Sequence, residues 1–415
     1  MEKLAIFGGD KVKTTPFTFA KRFGEPELKE LKEALEQNTL FYWGANSTKV
    51  KTFLEKFKKM YGADYAVATS SGTASIHVAL GAAGVGPGDE VITSPITDMG
   101  SIIGIVFQNA IPVFADLDPH TYNMTAETIA ARITDKTKAI VVVHLAGNPA
   151  EMDPIMELAR KHNIKVIEDC AQSYECFYKG RRVGTIGDYG CFSLNDFKHI
   201  SAGDGGMVIA QNEEDYVNAF RFADKNYNRF SKDPQELRRI EFIAPNYRMN
   251  ELTGAVAIAQ LDRVEAIGAR RHEIGDRISE AIRDLPGVEI HEVKEGNYCS
   301  YWFYMLRINE KEAGVNRDDF SAALNAEGIP SVAGYIPACV YEYDMFKNKE
   351  GFKGTHAPFD SPYYGGNVSY ETGLCPVAEE ILSTAIRIGV NEGYTDEDVE
   401  DIIKAIRKVS AHYSK

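Results

Sequence analysis

The sequence predicts an α/β fold, with a large, mostly parallel sheet between layers of helices and a smaller C-terminal α/β domain. Apolar segments with the length of buried strands alternate with helical segments between residues 66 and 211, which is typical of parallel sheets. A second, shorter group of strand-like and helical segments follows residue 265, and 415 residues are enough for two domains. We therefore divide the chain into an N-terminal arm with a large domain, residues 1–265, and a smaller domain, residues 266–415.

The elements of the large domain follow from residue spacing. After an arm that we expect to be tied down on the body, residues 25–37 and 48–61 carry apolar side chains at helical spacing. Further helices are predicted at residues 73–80 and 153–162. Seven strands are predicted at residues 66–69, 90–94, 111–116, 139–144, 165–169, 190–194 and 206–210.

A long helix at residues 250–283 is predicted to link the two domains. The segments VEIHEV and YWFYMLRI, from residues 288 and 301, then read as strands. Residues 335–374 are rich in Tyr, Phe, Gly and Pro, and we expect a long loop that is ordered, because its aromatic content argues against disorder.

Composition narrows the classes of function. The formal net charge of −14 disfavours nonspecific binding to nucleic acid and gives no sign of a basic membrane-binding face. No apolar run approaches the roughly 18 residues of a membrane span, and no secretory leader opens the chain. The six cysteines are scattered without metal spacing. We therefore expect a cytoplasmic protein that needs neither a membrane nor a metal ion.

The stretch from residue 189 to 206 places a lysine between two predicted strands. Lys198 follows Ser193 by five residues and precedes three glycines, which let a backbone approach something bulky. One interpretation is a lysine that binds a cofactor covalently while Ser193 holds its phosphate. The other is a surface lysine in a turn, which this stretch alone favours, because most lysines are solvated.

Two other stretches favour the cofactor interpretation. Residues 166–194 place Asp169 at the end of a strand, where ligands of open α/β sheets bind. Residues 68–80 form a strand end, a Ser-Ser-Gly-Thr turn and a helix. The amides of Gly72 and Thr73 at the start of that helix are suited to binding an anion.

These three stretches resemble the sugar aminotransferases of the DegT/DnrJ/StrS family, which use pyridoxal phosphate (PLP) on an aspartate-aminotransferase-like fold. The segments HLAGNPAEMDPI from His144 and APNYRMNELTGAVAIAQL from Ala244 are also similar to the family, so the resemblance covers most of the chain. It implies that Lys198 forms the Schiff base, that Asp169 lies at the pyridine nitrogen and that Gln172 lies near the ring. It also implies phosphate contacts from Gly72, Thr73, Ser193 and, across a homodimer with shared active sites, Asn246.

Three positions depart from the family pattern. Asp98 and Met99 follow Thr97, where the family usually has an aromatic residue on the cofactor ring; Asp98 is either a substrate contact or a turn cap. Arg387 and Asn391 lie where a Ser-Leu-Pro-Leu-His run is common. The aromatic loop at residues 38–47 is read equally as packing and, by resemblance, as a substrate contact.

The resemblance implies transfer of an amino group from glutamate or glutamine to a keto-sugar or keto-cyclitol, with a nucleotide-linked keto-sugar slightly favoured. Two alternatives are a PLP-dependent sugar dehydratase, in which histidine replaces the lysine, and a regulator with no catalytic activity. Although His199 is adjacent, the register of Lys198 favours the aminotransferase. The presence of Lys198, Asp169 and Gln172 argues against a binding module. His144 lacks a second ligand at metal spacing and is read as a packed or ring-adjacent histidine.

Overall fold

A computed structural model describes residues 2–414. The strands are β1 (Tyr65–Thr69), β2 (Glu90–Thr93), β3 (Ile111–Phe114), β4 (Thr137–Val143), β5 (Lys165–Asp169), β6 (Phe177–Tyr178), β7 (Arg181–Arg182), β8 (Tyr189–Ser193), β9 (Gly206–Ala210), β10 (Val288–Ile290), β11 (Phe303–Ile308), β12 (Ser331–Ala333) and β13 (Ala385–Gly389). The helices are α1 (Glu25–Glu36), α2 (Lys49–Tyr61), α3 (Gly72–Ala82), α4 (Ile103–Phe107), α5 (Ala126–Ala130), α6 (Met152–His162), α7 (Glu213–Ala223), α8 (Pro234–Leu237), α9 (Glu251–Leu261), α10 (Val264–Ile282), α11 (Glu310–Ala313), α12 (Arg317–Ala326), α13 (Asp344–Lys347), α14 (Pro376–Thr384) and α15 (Asp396–Tyr413).

The seven predicted strands form one sheet, in the order β1-β9-β8-β5-β4-β2-β3. The pairs β8–β5, β5–β4, β4–β2 and β2–β3 are parallel, whereas β9 is antiparallel to both of its neighbours. Residues 139–142 and 166–167 are fully buried, as expected for strands covered on both faces. Helices α3, α6 and α7 pack against this sheet. The predicted α/β class with a large, mostly parallel sheet is confirmed.

The parallel strands bring the predicted site residues to one edge of the sheet. Asp169 ends β5 and Ser193 ends β8, while Gly72 begins the helix that follows β1. The carboxyl ends of parallel strands are where α/β sheets bind ligands, so three segments that are far apart in sequence meet at the same edge.

A second, antiparallel sheet has the order β10-β11-β13-β12 and its own buried cluster with α10, α12 and α15. Packing crosses the proposed boundary at residue 265 in both directions. Leu4 of the arm belongs to the second cluster, whereas Phe346 and Tyr370 belong to the core of the first sheet. The division into residues 1–265 and 266–415 stays a prediction.

Two sequence-based expectations about helices need correction. The long helix predicted at residues 250–283 is two helices, α9 and α10, which are separated at Asp262–Arg263. In α1 the face that carries Leu28 and Leu35 is exposed, at 58% and 62%, while Glu27 and Ala34 are buried. The spacing of the leucines predicted the helix correctly, but the apolar face does not contact the core of the same chain.

The loop at residues 335–374 is ordered by its aromatic side chains, as predicted. Tyr341, Phe346 and Tyr370 are buried, and the Tyr370 hydroxyl donates to the carbonyl of Pro112 at 2.8 Å. Within residues 2–414, no helix is both long enough and apolar enough to cross a membrane.

Candidate active site

A cavity of about 960 Å³ lies at the carboxyl edge of the large sheet. One wall, which we call the sheet wall, is formed by Gly72, Thr73, Asp169, Gln172, Ser193 and Lys198. The facing wall, which we call the recognition wall, is formed by Asp98, Trp302, Phe303, Tyr335 and Arg387. The arm contributes Phe19, Ala20 and Arg22. Six of the seven predicted site residues therefore line one cavity, and Asn246 does not.

Lys198 lies on the turn after β8, where its backbone amide donates to the carbonyl of Asn195 at 3.0 Å. Its Nζ lies 4.0 Å from the centroid of the Trp302 ring. Burial lowers the pKa of the Lys198 amine, while the charges of Asp169 and Asp98 oppose that shift. The neutral, nucleophilic form is therefore more accessible than in a solvated lysine.

The glycines after Lys198 serve the fold of the turn. Gly205 has a φ of 146°, which most side chains do not adopt. A Cβ on Gly206 would lie 2.4 Å from the carbonyl oxygen of Ser71. The close approach predicted from these glycines is thus to the chain itself, at the N-cap residue of α3.

Asp169 is buried at the base of the sheet wall. Its Oδ2 accepts a hydrogen bond from Ser101 Oγ at 2.5 Å and its Oδ1 accepts one from the amide of Ala171 at 3.0 Å. Burial raises the pKa of Asp169, and the hydrogen bonds from Ser101 and Ala171 act against that shift, as does the charge of Lys198. A carboxylate held in this way favours a cation placed beside it.

The start of α3 and the end of β8 form a tight anion cradle. A Cβ on Gly72 would lie 2.6 Å from Ser193 Cβ and 2.9 Å from Ser193 Oγ, so only glycine fits. The amide of Ala74 donates to Ser71 Oγ at 3.0 Å and that of Ser75 donates to the Ser71 carbonyl at 3.0 Å. Within the described chain, the amides of Gly72 and Thr73 have no acceptor, which leaves them for an anion.

Gln172 links the two walls. Its Oε1 accepts from the amide of Ala146 at 2.9 Å and its Nε2 donates to the Tyr335 hydroxyl at 3.1 Å. Both ends of the side-chain amide are therefore bound within the chain. Gln172 lies at the cavity, as the resemblance implied.

His199 does not replace Lys198 in the cavity. Its ring is fully buried, and Nε2 donates to the carbonyl of Ser300 at 3.2 Å. Burial lowers the pKa of His199 well below its usual range, so the ring stays neutral. The register of the turn presents the lysine and turns the histidine away.

His144 belongs to a buried cluster with Glu168 and Cys170, whose ligand atoms lie within 4.8 Å of one another. The amide of Ala150 donates to His144 Nδ1 at 3.1 Å, so Nε2 carries the proton that it shares with Glu168 at 3.0 Å. Glu168 also accepts from three backbone amides at 2.6 to 2.8 Å. These groups are already hydrogen-bonded within the chain and burial raises the pKa of the Cys170 thiol, so the cluster is a packed network; the expectation that the protein needs no metal ion stays a prediction.

The arm was missed as part of the site. The guanidinium of Arg22 donates to the backbone carbonyls of Asp196 and Lys198, so it holds the turn that carries the lysine. The amide of Ala20 donates to Asn391 Oδ1 at 3.0 Å, which gives Asn391 a role in fastening the arm. Neither contact follows from residue spacing, since each joins segments more than 170 residues apart.

Asn246 is exposed and lies away from the cavity of its own chain. Its backbone pairs with that of Asp224 in an isolated bridge. The aromatic loop at residues 38–47 also stays outside this cavity, because Trp43 donates to Asp224 Oδ2 at 3.1 Å and packs on Phe220. Within one chain, packing accounts for that loop.

The chain is similar to aminotransferases in three comparisons: with a family model, with related sequences and with solved structures. The family model described as the DegT/DnrJ/EryC1/StrS aminotransferase family matches residues 21–407. A Bacillus subtilis (strain 168) protein named spore coat polysaccharide biosynthesis protein SpsC is 32% identical over 394 residues, which cover 93% of this chain and 95% of that protein. A Streptoalloteichus tenebrarius protein named putative L-glutamine:3-amino-2,3-dideoxy-scyllo-inosose aminotransferase is 35% identical over 415 residues, covering 98% and 97%.

Solved structures extend the similarity to the fold. The X-ray structure of an aminotransferase from Psychrobacter cryohalolentis has a TM-score of 0.83 and 30% identity, covering 96% of this chain and all of the other. The crystal structure of 3-amino-5-hydroxybenzoic acid synthase has a TM-score of 0.82 and 25% identity, with the same coverage. The matches include both sheets and therefore both walls of the cavity.

Proposed function

The chain belongs to the DegT/DnrJ/EryC1/StrS aminotransferase family, and from that premise we propose that it moves an amino group from glutamate or glutamine to a keto-sugar or keto-cyclitol. The observation that carries the proposal is the presence of the Lys198 amine and the Asp169 carboxylate in one cavity, beside a cradle for a phosphate. A lysine, an acid and an anion site are the groups that a PLP-dependent transaminase requires.

The residues present fit PLP. The amides of Gly72 and Thr73 without acceptors and the hydroxyl of Ser193 would bind its phosphate. Asp169, buried and hydrogen-bonded, would hold a proton on the ring nitrogen through opposite charge. Lys198 would bind the aldehyde carbon and Gln172 would lie beside the ring. When bound, PLP supplies an electron sink for the carbon that loses its proton.

Lys198 then has two tasks that depend on its own chemistry. Its neutral amine would bind the cofactor, and burial favours that neutral form. Once free, the Lys198 amine would take up the proton that the substrate loses and donate it again, and such positioned acid–base catalysis contributes roughly 10²–10⁴-fold. The Trp302 ring face, 4.0 Å from Nζ, stabilises the protonated state of the released amine through a cation–π contact.

The acceptor is proposed at the level of a class. One relative is named for polysaccharide biosynthesis and three are named as aminotransferases of an amino-dideoxy-scyllo-inosose, so similarity supports both a keto-sugar and a keto-cyclitol. We keep a nucleotide-linked keto-sugar as the first candidate and a keto-cyclitol, which the names of those three relatives support, as the second.

The dehydratase alternative is disfavoured by the site. A dehydratase of this fold has histidine in place of the lysine, whereas here the lysine lines the cavity and His199 donates to the Ser300 carbonyl.

We also propose a homodimer with shared sites. Leu28 and Leu35 of α1 are exposed, and Leu28 lines one surface hollow with the exposed Phe23; such an apolar surface is one that a monomer seldom leaves open. Asn246 lies outside the cavity of its own chain, which is consistent with service in the cavity of a partner. A twofold dimer is also the commonest symmetric assembly.

The test separates the two half-reactions. Glutamate or glutamine alone is expected to bleach the visible absorbance of the wild-type holoenzyme, and a suitable keto-sugar or keto-cyclitol is expected to restore it. Borohydride is expected to fix the cofactor on the peptide that contains Lys198, and Lys198→Ala is expected to stall before turnover. A reduced adduct on Lys179, or release of a deoxygenated sugar without transfer of nitrogen, would overturn the proposal.

A further inference from the structure

Arg387 is the feature of the recognition wall that the proposed chemistry leaves unused. It lies on β13, lines the cavity and is partly buried, with its guanidinium carbon 5.9 Å from the centroid of the Phe303 ring. Within residues 2–414 its guanidinium has no ion-pair or hydrogen-bond partner besides this contact with the Phe303 ring. Its guanidinium carries five N–H donors, and because the side chain lines the cavity without an acceptor from the chain, these donors are open to a ligand.

The other two guanidiniums of the cavity are already bound. Arg271 donates to Glu392 Oε2 at 2.9 Å and to the carbonyl of Trp302 at 3.1 Å. Arg22 donates to the carbonyls of Asp196 and Lys198. The protein itself therefore binds two of the three guanidinium groups that line the cavity. The guanidinium of Arg387 differs, because its N–H groups are open to the cavity.

Asp98 is the matching anion. Its Oδ1 accepts from the amide of Gly100 at 2.8 Å, and within the described chain its Oδ2 has no donor. Asp98 and Arg387 are not an ion pair, although both act on the Tyr335 phenol. Burial raises the pKa of Tyr335, the charge of Asp98 raises it further and that of Arg387 lowers it. The negative charge of Asp98 and the positive charge of Arg387 thus both act on the part of the cavity around Tyr335, without forming an ion pair.

A site that works in two half-reactions must bind two unlike molecules in turn. The amino donor carries an α-carboxylate, whereas a keto-sugar or keto-cyclitol carries hydroxyl groups in its place. A guanidinium fork binds a carboxylate through two parallel hydrogen bonds, and a carboxylate accepts hydrogen bonds from hydroxyl groups.

We propose that Arg387 binds the α-carboxylate of the amino donor and that Asp98 accepts a hydrogen bond from a hydroxyl group of the acceptor, so that the two residues select the two substrates of one cavity. This inference rests on the proposed function. It assigns a chemical role to two positions that depart from the family pattern. It also explains why Arg387 and Asp98 do not form an ion pair with each other, since such a pair would leave neither side chain free to bind its substrate.

The test measures binding without turnover, by calorimetry on the holoenzyme. The carboxylate probe is 2-methyl-L-glutamate, which has no α-hydrogen to lose, and the hydroxyl probe is scyllo-inositol. Arg387→Gln is expected to weaken the carboxylate probe about 10- to 100-fold, the cost of losing hydrogen bonds to a charged group, and to leave scyllo-inositol unchanged. Asp98→Asn is expected to show the reverse pattern, with a loss of about tenfold.

Matched variants make the result specific. Arg160→Gln removes an exposed arginine on α6, away from the cavity, and is expected to leave both probes unchanged. Arg387→Lys keeps the charge without the fork and is expected to lose less affinity than Arg387→Gln, which excludes misfolding as the cause. Thymidine diphosphate is a third probe, because a guanidinium also binds phosphate.

Carboxylate binding that is unaffected by Arg387→Gln would overturn the inference, as would a loss confined to thymidine diphosphate. Wild-type protein that binds 2-methyl-L-glutamate but not scyllo-inositol would remove the role of Asp98. Wild-type protein that binds neither substrate probe and transfers no amino group would instead refute the proposed function, so the two failures are distinguishable.

Discussion

The sheet wall and the recognition wall of the cavity differ in how far their polar groups are already bound by the protein. Each carboxylate oxygen of Asp169 accepts a hydrogen bond, at 2.5 and 3.0 Å, and both ends of the Gln172 side-chain amide are hydrogen-bonded. Arg387 and one oxygen of Asp98 have no such contacts within residues 2–414. Under the proposed function, the groups used in both half-reactions are fixed by the protein in advance, whereas the two groups proposed to select substrates are left open to ligand.

The largest expected effect is on the sheet wall. Asp169→Asn keeps an acceptor for Ala171 but removes the negative charge, and we expect the rate to fall about 10²–10³-fold, as for loss of a preorganised electrostatic group. Both half-reactions should slow by the same factor, because the sheet wall serves both. Single-turnover absorbance measurements with donor and with acceptor check this, and a loss confined to one half-reaction would contradict it.

The second prediction asks whether the sheet wall is completed by a partner subunit. Lys198→Ala and Asn246→Ala proteins, each inactive or weakly active alone, are mixed and allowed to exchange subunits. If Asn246 serves the neighbouring cavity, one of the two sites of each mixed dimer is intact, and activity should recover to about a quarter of the wild-type value. Recovery is not expected if Asn246 acts within its own chain, and wild-type sedimentation as a fully active monomer would also exclude shared sites.

The smallest expected effect is that of Asp98, on the recognition wall, on the pKa of Lys198, on the sheet wall. The charge of Asp98 opposes the fall in the pKa of Lys198 that burial causes, so Asp98→Asn should lower that pKa further. A lower pKa raises the neutral fraction at a given pH, and the pH profile for capture of PLP by the apoprotein should therefore shift to lower pH. Asp204→Asn, at another acid lining the cavity, is the control; an equal shift there would mean that Asp98 has no specific role.

The sequence predicted the sheet wall well because its residues are local to their elements. Strand ends, a helix start and a lysine turn are set by nearby residues, and Gly72, Asp169, Ser193 and Lys198 do line one cavity; their roles toward a cofactor stay predictions. The contacts made by the recognition wall were not predicted. Tyr335, for example, contacts Gln172, which is 163 residues away in the sequence, and the spacing of residues within a segment does not reveal such distant contacts. The break at Asp262 was missed for a related reason, because apolar spacing continues through it.

The arm has a consequence for the order of events during synthesis. The amide of Ala5 and the side chain of Glu327 that binds it are 322 residues apart, and Lys13 pairs with Asp398 at 2.7 Å. Arg22, which holds the lysine turn, lies on the segment that these contacts anchor. A nascent chain can build the large sheet as soon as residue 210 has left the ribosome, yet the contact of Ala5 waits for Glu327 and the Lys13–Asp398 pair waits for residue 398. At about 5–20 residues per second, the Lys13–Asp398 pair can form only on the order of ten seconds or more after residue 210 has been made.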